Sequence, residues 1–194
     1  LTYDKYKSDH NSTLENLVLN SNYIFVCLPT PMNTDGSCNT DIIEEVLQQV
    51  NDITDIRKTI VLKSTVICGT TESLTERNAV KDYDNQERII LGGDRPYTSD
   101  LKQIFSKVFP DSRIIKTSST HAEMVKYLTN TFLAVKVSFA NEMYELCNKL
   151  DVDYDKVIEY ATIDQRLGHS HWSVPGHDGD LGFGGHCFPK DLSA

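Results

Sequence analysis

Short apolar runs alternate with helical patterns over the first 118 residues, and this constrains the fold more than any other feature of the chain. "YIFVCLPTP" (23–31) reads as a buried strand running into a Pro-bounded loop. "KTIVLKSTV" (58–66) is the next strand, "RIILGG" (88–93) another, and "SRIIKT" (112–117) a shorter one. Leu1–Tyr3 reads as the tail of a strand that ends at Asp4. Between these runs the spacing predicts helices over Thr13–Leu19, over Asp41–Val50 with Ile42, Ile43, Val46 and Val50 on one face, and over "SDLKQIFSKVF" (99–109). The stretch "NTDGSCN" is turn chemistry. Strands apolar on both faces and separated by helices specify a parallel sheet covered on both sides, because parallel neighbours need a crossover. Ligands of such sheets sit beyond the carboxyl ends of the strands. The loops holding Asp4, Pro29–Pro31 and Ser64–Thr65 fall there.

From Thr120 the pattern changes. Thr120 and Glu123 have the spacing of a capping box, and neither Pro nor Gly follows until about Leu150, which predicts one long helix. A second helix is expected around Asp155–Tyr160, then a Gly/His/Pro segment that ends in "GFGGHCFPKD" (182–191). The expected organisation is an α/β domain over residues 1–118 and a helical domain over 119–194. Leu1 at the start suggests that the true start lies elsewhere.

A formal net charge of -9 argues against a nucleic-acid partner. No apolar run is long enough to span a bilayer, so no membrane partner is expected, and no signal peptide is visible. The five cysteines, an odd number with no C-x-x-C pair, read as reduced thiols of a cytoplasmic protein. His169, His171, His177 and His186 lie in a Gly-rich segment rather than on a rigid frame, so no metal site is expected.

Three groups of residues carry candidate chemistry. The glycines before Cys187 let the backbone approach a ligand, and Pro189 and Asp191 suit the first turn of a helix, which places Cys187 at a helix N-terminus. The helix dipole favours a thiolate there, Lys190 is close in sequence, and Asp191 is suited to holding a water. A tight loop with an incidental thiol is the alternative. Lys126 and Asn130, four apart on the long helix, share a face and suit an oxyanion; a solvated helix face is the alternative. Asp4 ends a strand as an acid does at a ribose, or is an ordinary turn aspartate. Gly182-Phe183-Gly184 begins a G-x-G-x-x-G pattern, but Cys187 replaces its third glycine and no strand precedes it, so it is no phosphate loop.

Taken together, "VCLPTP", "KSTV", "LTERNAVKDYDNQERIILGG", "AEMVKYLTNTFLAVKVSFANE", "DQRLG" and "GFGGHCFPKD" resemble the UDP-glucose/GDP-mannose dehydrogenase family, in family order and over most of the chain. The resemblance implies a Rossmann-like, NAD-binding domain followed by a central helical domain. It also implies oxidation of a nucleotide sugar's primary alcohol to a carboxylate with two NAD, UDP-glucose being the expected substrate. By the same resemblance Cys187 is the nucleophile, Lys126 and Asn130 stabilise the oxyanion, and Asp191 with Thr65 positions the hydrolytic water. Glu76 matches the second acid of the family's "PEFLxE" segment. Asp4, Lys5, Thr30, Pro31, Ser64 and Thr65 are implied at the cofactor; Leu74, Glu76, Lys126, Asn130, Arg166, Phe183 and Gly184 at the substrate. Arg166 matches an arginine that reaches the substrate of a neighbouring subunit in some members, and the long helix would be the core of a homodimer or larger homo-oligomer.

The sequence departs from the family in lacking the first strand and glycine-rich turn, the C-terminal lobe, and the strand with "NPEF" that the family carries between Ser73 and Leu74. The chain therefore reads as parts of a larger enzyme, with Ser73 and Leu74 expected not to be bonded neighbours. Two rivals to this reading are a non-catalytic remnant used for binding or oligomerisation, and a two-electron oxidoreductase of the 3-hydroxyacid dehydrogenase kind. The remnant is opposed by intact Cys187, Lys126, Asn130 and Asp191, and the oxidoreductase would need no cysteine.

Overall fold

The computed structural model describes residues 1–7, 12–35, 37–63, 86–176, 179–184 and 188–193. The chain forms two compact units, Leu1–Lys126 and Tyr127–Ala194. The first contains α1 (Leu14–Asn20), β1 (Tyr23–Val26), α2 (Asp41–Ile53), β2 (Thr59–Leu62), β3 (Arg88–Gly92), α3 (Tyr97–Val108) and β4 (Arg113–Thr117). The long helix α4 (Ser119–Lys149) begins in the first unit and continues in the second. β1 and β2 pair in parallel with Tyr23 opposite Thr59, and β3 and β4 pair in parallel with Arg88 opposite Arg113. Among the described residues these are two two-stranded sheets. The parallel pairing and the strand–helix alternation are those of the expected α/β class.

Each apolar run closes a core. Val18 of α1, Ile24 and Val26 of β1 and Val50 of α2 form one buried cluster, with Leu14, Leu17 and Leu47 packed on it. Ile42 falls outside the buried stripe of α2, where Ile43 and Val50 are buried; one residue of helix turns a side chain by about 100°. The second cluster joins Val61 of β2, Ile89 and Leu91 of β3, and Leu101, Phe105 and Phe109. Ile89, Ile90 and Leu91 are all buried, which is what a continuous apolar strand requires when both its faces are covered. Gly92 ends β3 against the start of α4: a Cβ there would lie 2.7 Å from Ala122 Cβ and 2.9 Å from Ser119 Cα. Only glycine lets the strand end so near the helix backbone.

Two local expectations are corrected. Leu1–Tyr3 carries no strand. Asp4 sits instead in a turn, its Oδ1 accepting the Tyr6 N–H at 2.9 Å, because a strand persists only through a ladder with a neighbour. The capping box at Thr120 and Glu123 does not form. The helix starts two residues earlier than that cap would place it, and Ser118 Oγ accepts the His121 N–H at 3.3 Å, so Thr120 is already inside the first turn. α1 is capped as its sequence suggests, with Thr13 Oγ1 accepting the Asn16 N–H at 3.1 Å.

In the second unit α4 ends at a left-handed Asp151 (φ 56°), which lets the Val152 N–H reach the Cys147 carbonyl at 2.9 Å. Asp153 then caps α5 (Tyr154–Ala161), and Asp164 caps a 3-10 turn (Gln165–Leu167). α6 (Phe188–Ser193) closes the described part of the unit. Among the described residues no helix is long and apolar enough to cross a membrane.

Candidate active site

The second unit draws loops onto α4 through polar side chains. Asn130 Nδ2 donates to Asp191 Oδ2 at 2.5 Å, across 61 residues of sequence. Asp191 lies in the first turn of α6, a position that suits an acid, and is only 3% exposed. Such a buried carboxylate requires hydrogen-bond donors, and Asn130 supplies one. Lys126 stands one helical turn before Asn130 on α4 and is half-buried. Further along the same helix, Asn141 Nδ2 donates to its own helix at the Val137 carbonyl (2.8 Å), while its Oδ1 accepts the Gly182 N–H at 2.9 Å. Gly182 has φ +87°, a backbone state that side chains resist, so glycine here is needed for conformation. The Phe183 and Phe188 rings meet edge to face at 6.5 Å, with Gly184 following Phe183 on the exposed loop.

Arg166 lies in the 3-10 turn. Its Nε donates to both oxygens of Asp164 (2.9 and 3.0 Å), and its Nη2 also pairs with Oδ2. These hydrogen bonds hold the Asp164 carboxyl below its usual range and the guanidinium above its own. The Arg166 side chain is otherwise directed to solvent.

Of the residues expected at the cofactor, Asp4 is in the turn already described and Lys5 Nζ stands 5.9 Å from the Tyr6 ring centre. Thr30 is half-buried and Pro31 exposed in the loop after β1, whose far end is tied by the Asn39 N–H to the Pro31 carbonyl at 2.8 Å. Sequence reasoning missed Cys27 and Lys63. Each directly follows a strand, and the parallel register that sets Val26 opposite Leu62 also makes these two neighbours. The Lys63 N–H donates to the Val26 carbonyl at 2.9 Å. Cys27 is exposed overall, but desolvation by the groups around its sulfur pushes the thiol up, against the pull of the Lys63 charge, and desolvation pushes half-buried Lys63 down, against Cys27. The Thr30 hydroxyl and the Lys63 ammonium follow the carboxyl ends of parallel strands, the side of such sheets on which ligands bind. The glycine-rich turn that would take a pyrophosphate is not among these residues, since the first glycine is Gly36.

A cavity of about 400 Å³ lies between β2 and the β3–α3 turn, where the Arg57 guanidinium stands 5.5 Å from the Tyr97 ring centre. None of the expected site residues is among the described residues lining it. Cys187, Ser64, Thr65, Leu74 and Glu76 lie outside the described residues, as does the expected break between Ser73 and Leu74.

Comparison with known proteins gives this geometry a context. Residues 4–77 match the NAD binding domain of the UDP-glucose/GDP-mannose dehydrogenase family, and residues 120–194 match that family's central domain. The UDP-glucose 6-dehydrogenase AglM of Haloferax volcanii is 31% identical, over 91% of this chain and 48% of its own length. The GDP-mannose 6-dehydrogenase of Azotobacter vinelandii is 32% identical, over 91% of this chain and 46% of its own. The solved UDP-glucose dehydrogenase of Pyrobaculum islandicum superposes with a TM-score of 0.78 at 29% identity, covering 94% of this chain and 47% of that one. The chain thus spans about half the length of each of these relatives. The match over residues 4–77 makes NAD the cofactor.

Proposed function

The chain belongs to the UDP-glucose/GDP-mannose dehydrogenase family, and from that premise we propose that it is part of an enzyme that oxidises the C6 alcohol of a nucleotide sugar to the uronic acid. UDP-glucose is the proposed substrate, in keeping with the names of the relatives from H. volcanii and P. islandicum. Residues 1–118 serve as the NAD-binding part and 119–194 as the central part. NAD, when bound, accepts one hydride in each of the two oxidations. Asp4, Lys5, Thr30, Pro31, Ser64 and Thr65 hold it, and Leu74, Glu76, Arg166, Phe183 and Gly184 hold the sugar nucleotide.

Between the two oxidations the Cys187 thiolate adds to the C6 aldehyde. The oxyanion formed takes hydrogen bonds from Lys126 and Asn130, and protonation gives the thiohemiacetal. The second hydride loss leaves a thioester on Cys187. Water held by Asp191 and Thr65, beside Glu76, adds to that thioester and expels the thiolate, releasing the carboxylate. The balance is one alcohol, two NAD and one water to one carboxylate, two NADH and three protons. The observation that carries the reading is the bond between Asn130 and Asp191: two side chains 61 residues apart, both assigned to the reacting carbon, are drawn together.

The enzyme is cytoplasmic and works as a dimer or larger homo-oligomer. Leu128, Phe132, Val135 and Phe139 form an exposed apolar row on α4 that a second copy would cover. The test is to incubate the full-length enzyme with NAD and a panel of nucleotide sugars, counting NADH per uronic acid. Two are expected, with steady acid formation abolished by Cys187→Ser. One NADH per sugar, or unchanged turnover in that variant, would overturn the mechanism.

A further inference from the structure

A 3-10 turn leaves its last carbonyls without partners in the turn itself. Here those carbonyls face a lysine far away in sequence. Lys136, half-buried on α4, donates from Nζ to the Leu167 carbonyl at 2.8 Å and to the Gly168 carbonyl at 3.4 Å. The same ammonium stands 4.5 Å from the centre of the Trp172 ring. Trp172 Nε1 in turn donates to the Gly168 carbonyl at 2.8 Å, so one carbonyl is bound by both groups. The indole is fixed independently: Phe139 meets it edge to face at 6.4 Å, and Tyr154 Oη donates to the Trp172 carbonyl at 2.7 Å.

Arg166 therefore lies between two fixed points. Asp164 binds its guanidinium from the N-terminal side, and Lys136 holds the carbonyl of the next residue, Leu167. Loss of the lysine would leave Asp164 to orient the side chain on a turn whose C-terminal end is no longer pinned to a helix.

We propose that Lys136 is a positioning residue: it binds the Leu167 and Gly168 carbonyls and stacks on Trp172, and so fixes the turn that presents Arg166 to the anionic part of the substrate. The inference rests on the reading of Arg166 as a substrate residue. It assigns Lys136 an effect on substrate affinity and none on the chemical steps.

The test uses full-length enzyme carrying Lys136→Met, which keeps length and removes charge, and Lys136→Arg, which keeps charge and the ring contact. Trp172 is the single tryptophan of the chain, so in a full-length enzyme carrying no other its emission reports the clamp directly; otherwise a Trp172→Phe difference isolates it. In Lys136→Met the emission should change, and amide exchange over 165–168 should accelerate while helix content is kept. KM for the nucleotide sugar should rise about tenfold, the loss of roughly one charge-assisted hydrogen bond, with kcat nearly unchanged. Lys136→Arg should restore most of the affinity. Unchanged exchange and emission in Lys136→Met would overturn the clamp. An unchanged KM, or a fall in kcat alone, would overturn the positioning role. If the parent enzyme turns over no nucleotide sugar, the functional reading fails and the positioning role with it, while emission and exchange still decide the clamp.

Discussion

The two units are held together by different means. In Leu1–Lys126 most of the buried side chains are large and aliphatic or aromatic, and two clusters of them form around paired strands. In Tyr127–Ala194 the buried positions on α4 are Ala134, Ala140 and Cys147, while Phe132 and Val135 are 65% and 61% exposed. Later segments of the second unit, α6 among them, are tied to that helix by Asn130, Lys136 and Asn141, each through a hydrogen bond to a distant residue. Apolar packing is non-directional and tolerates small shifts, whereas side-chain hydrogen bonds fix a loop atom by atom. The unit expected to position the reacting carbon is thus the one built from directional contacts.

Truncating a core side chain in the first unit should break this contrast most severely. Leu91 is 1% exposed and packs with Leu101 and Phe105. Leu91→Ala should cost about 3 kcal/mol, the transfer loss plus a cavity, read as a fall in the denaturant midpoint. A cost below about 1 kcal/mol would mean that the cluster collapses around the gap and is not the close-packed core described.

A smaller effect is expected at the Asn130–Asp191 bond. Asn130→Ala removes a donor from a buried carboxylate and should cost about 2 kcal/mol, the usual range for a hydrogen bond to a charged group. Amide exchange should rise in α6 with β1–β4 unaffected. Destabilisation spread equally over both units would contradict their separation.

This contrast also explains what the sequence reveals and what it hides. The strands at Tyr23–Val26 and Arg88–Gly92 and the helix at Asp41–Ile53 follow from apolar periodicity, a local signal. Thr13 is legible as a cap because its partner is three residues away. The α4 start was misread because Ser118 and Thr120 both offer a hydroxyl, and periodicity does not choose between them. The resemblance assigns Asn130 and Asp191 to one reaction but implies no bond between them, and nothing local pairs residues so far apart. Lys136 looks like any solvated helix lysine until the Gly168 turn is seen beneath it. Cys27 and Lys63 become neighbours only once the strand register is fixed.

The smallest predicted effect tests a directional bond by its size near neutral pH and the burial of its donor by pH dependence. Tyr154 is buried, meets Tyr144 edge to face at 5.4 Å, and donates from its hydroxyl to the Trp172 carbonyl at 2.7 Å. Burial first, then the charges of Asp155 and Cys147, pushes its phenol up to about 12. The folded state therefore favours the neutral phenol, while the unfolded chain ionises near pH 10. The stabilisation is complete below about pH 10 and is lost as pH rises towards about 12. Tyr154→Phe keeps the ring and removes both the hydrogen bond and the ionisation, so near neutral pH it should cost about 1 kcal/mol. That deficit should shrink above about pH 10, because only the parent protein is then penalised for holding the phenol neutral. Denaturant midpoints of the two proteins across this range isolate the residue, since every other titrating group is common to both. A gap near zero at neutral pH would show that Tyr154 is held by packing alone, and the polar tie between α5 and Trp172 would then not belong to the directional frame of the second unit. A gap that stays constant as the pH rises would show that the folded state does not hold the phenol neutral.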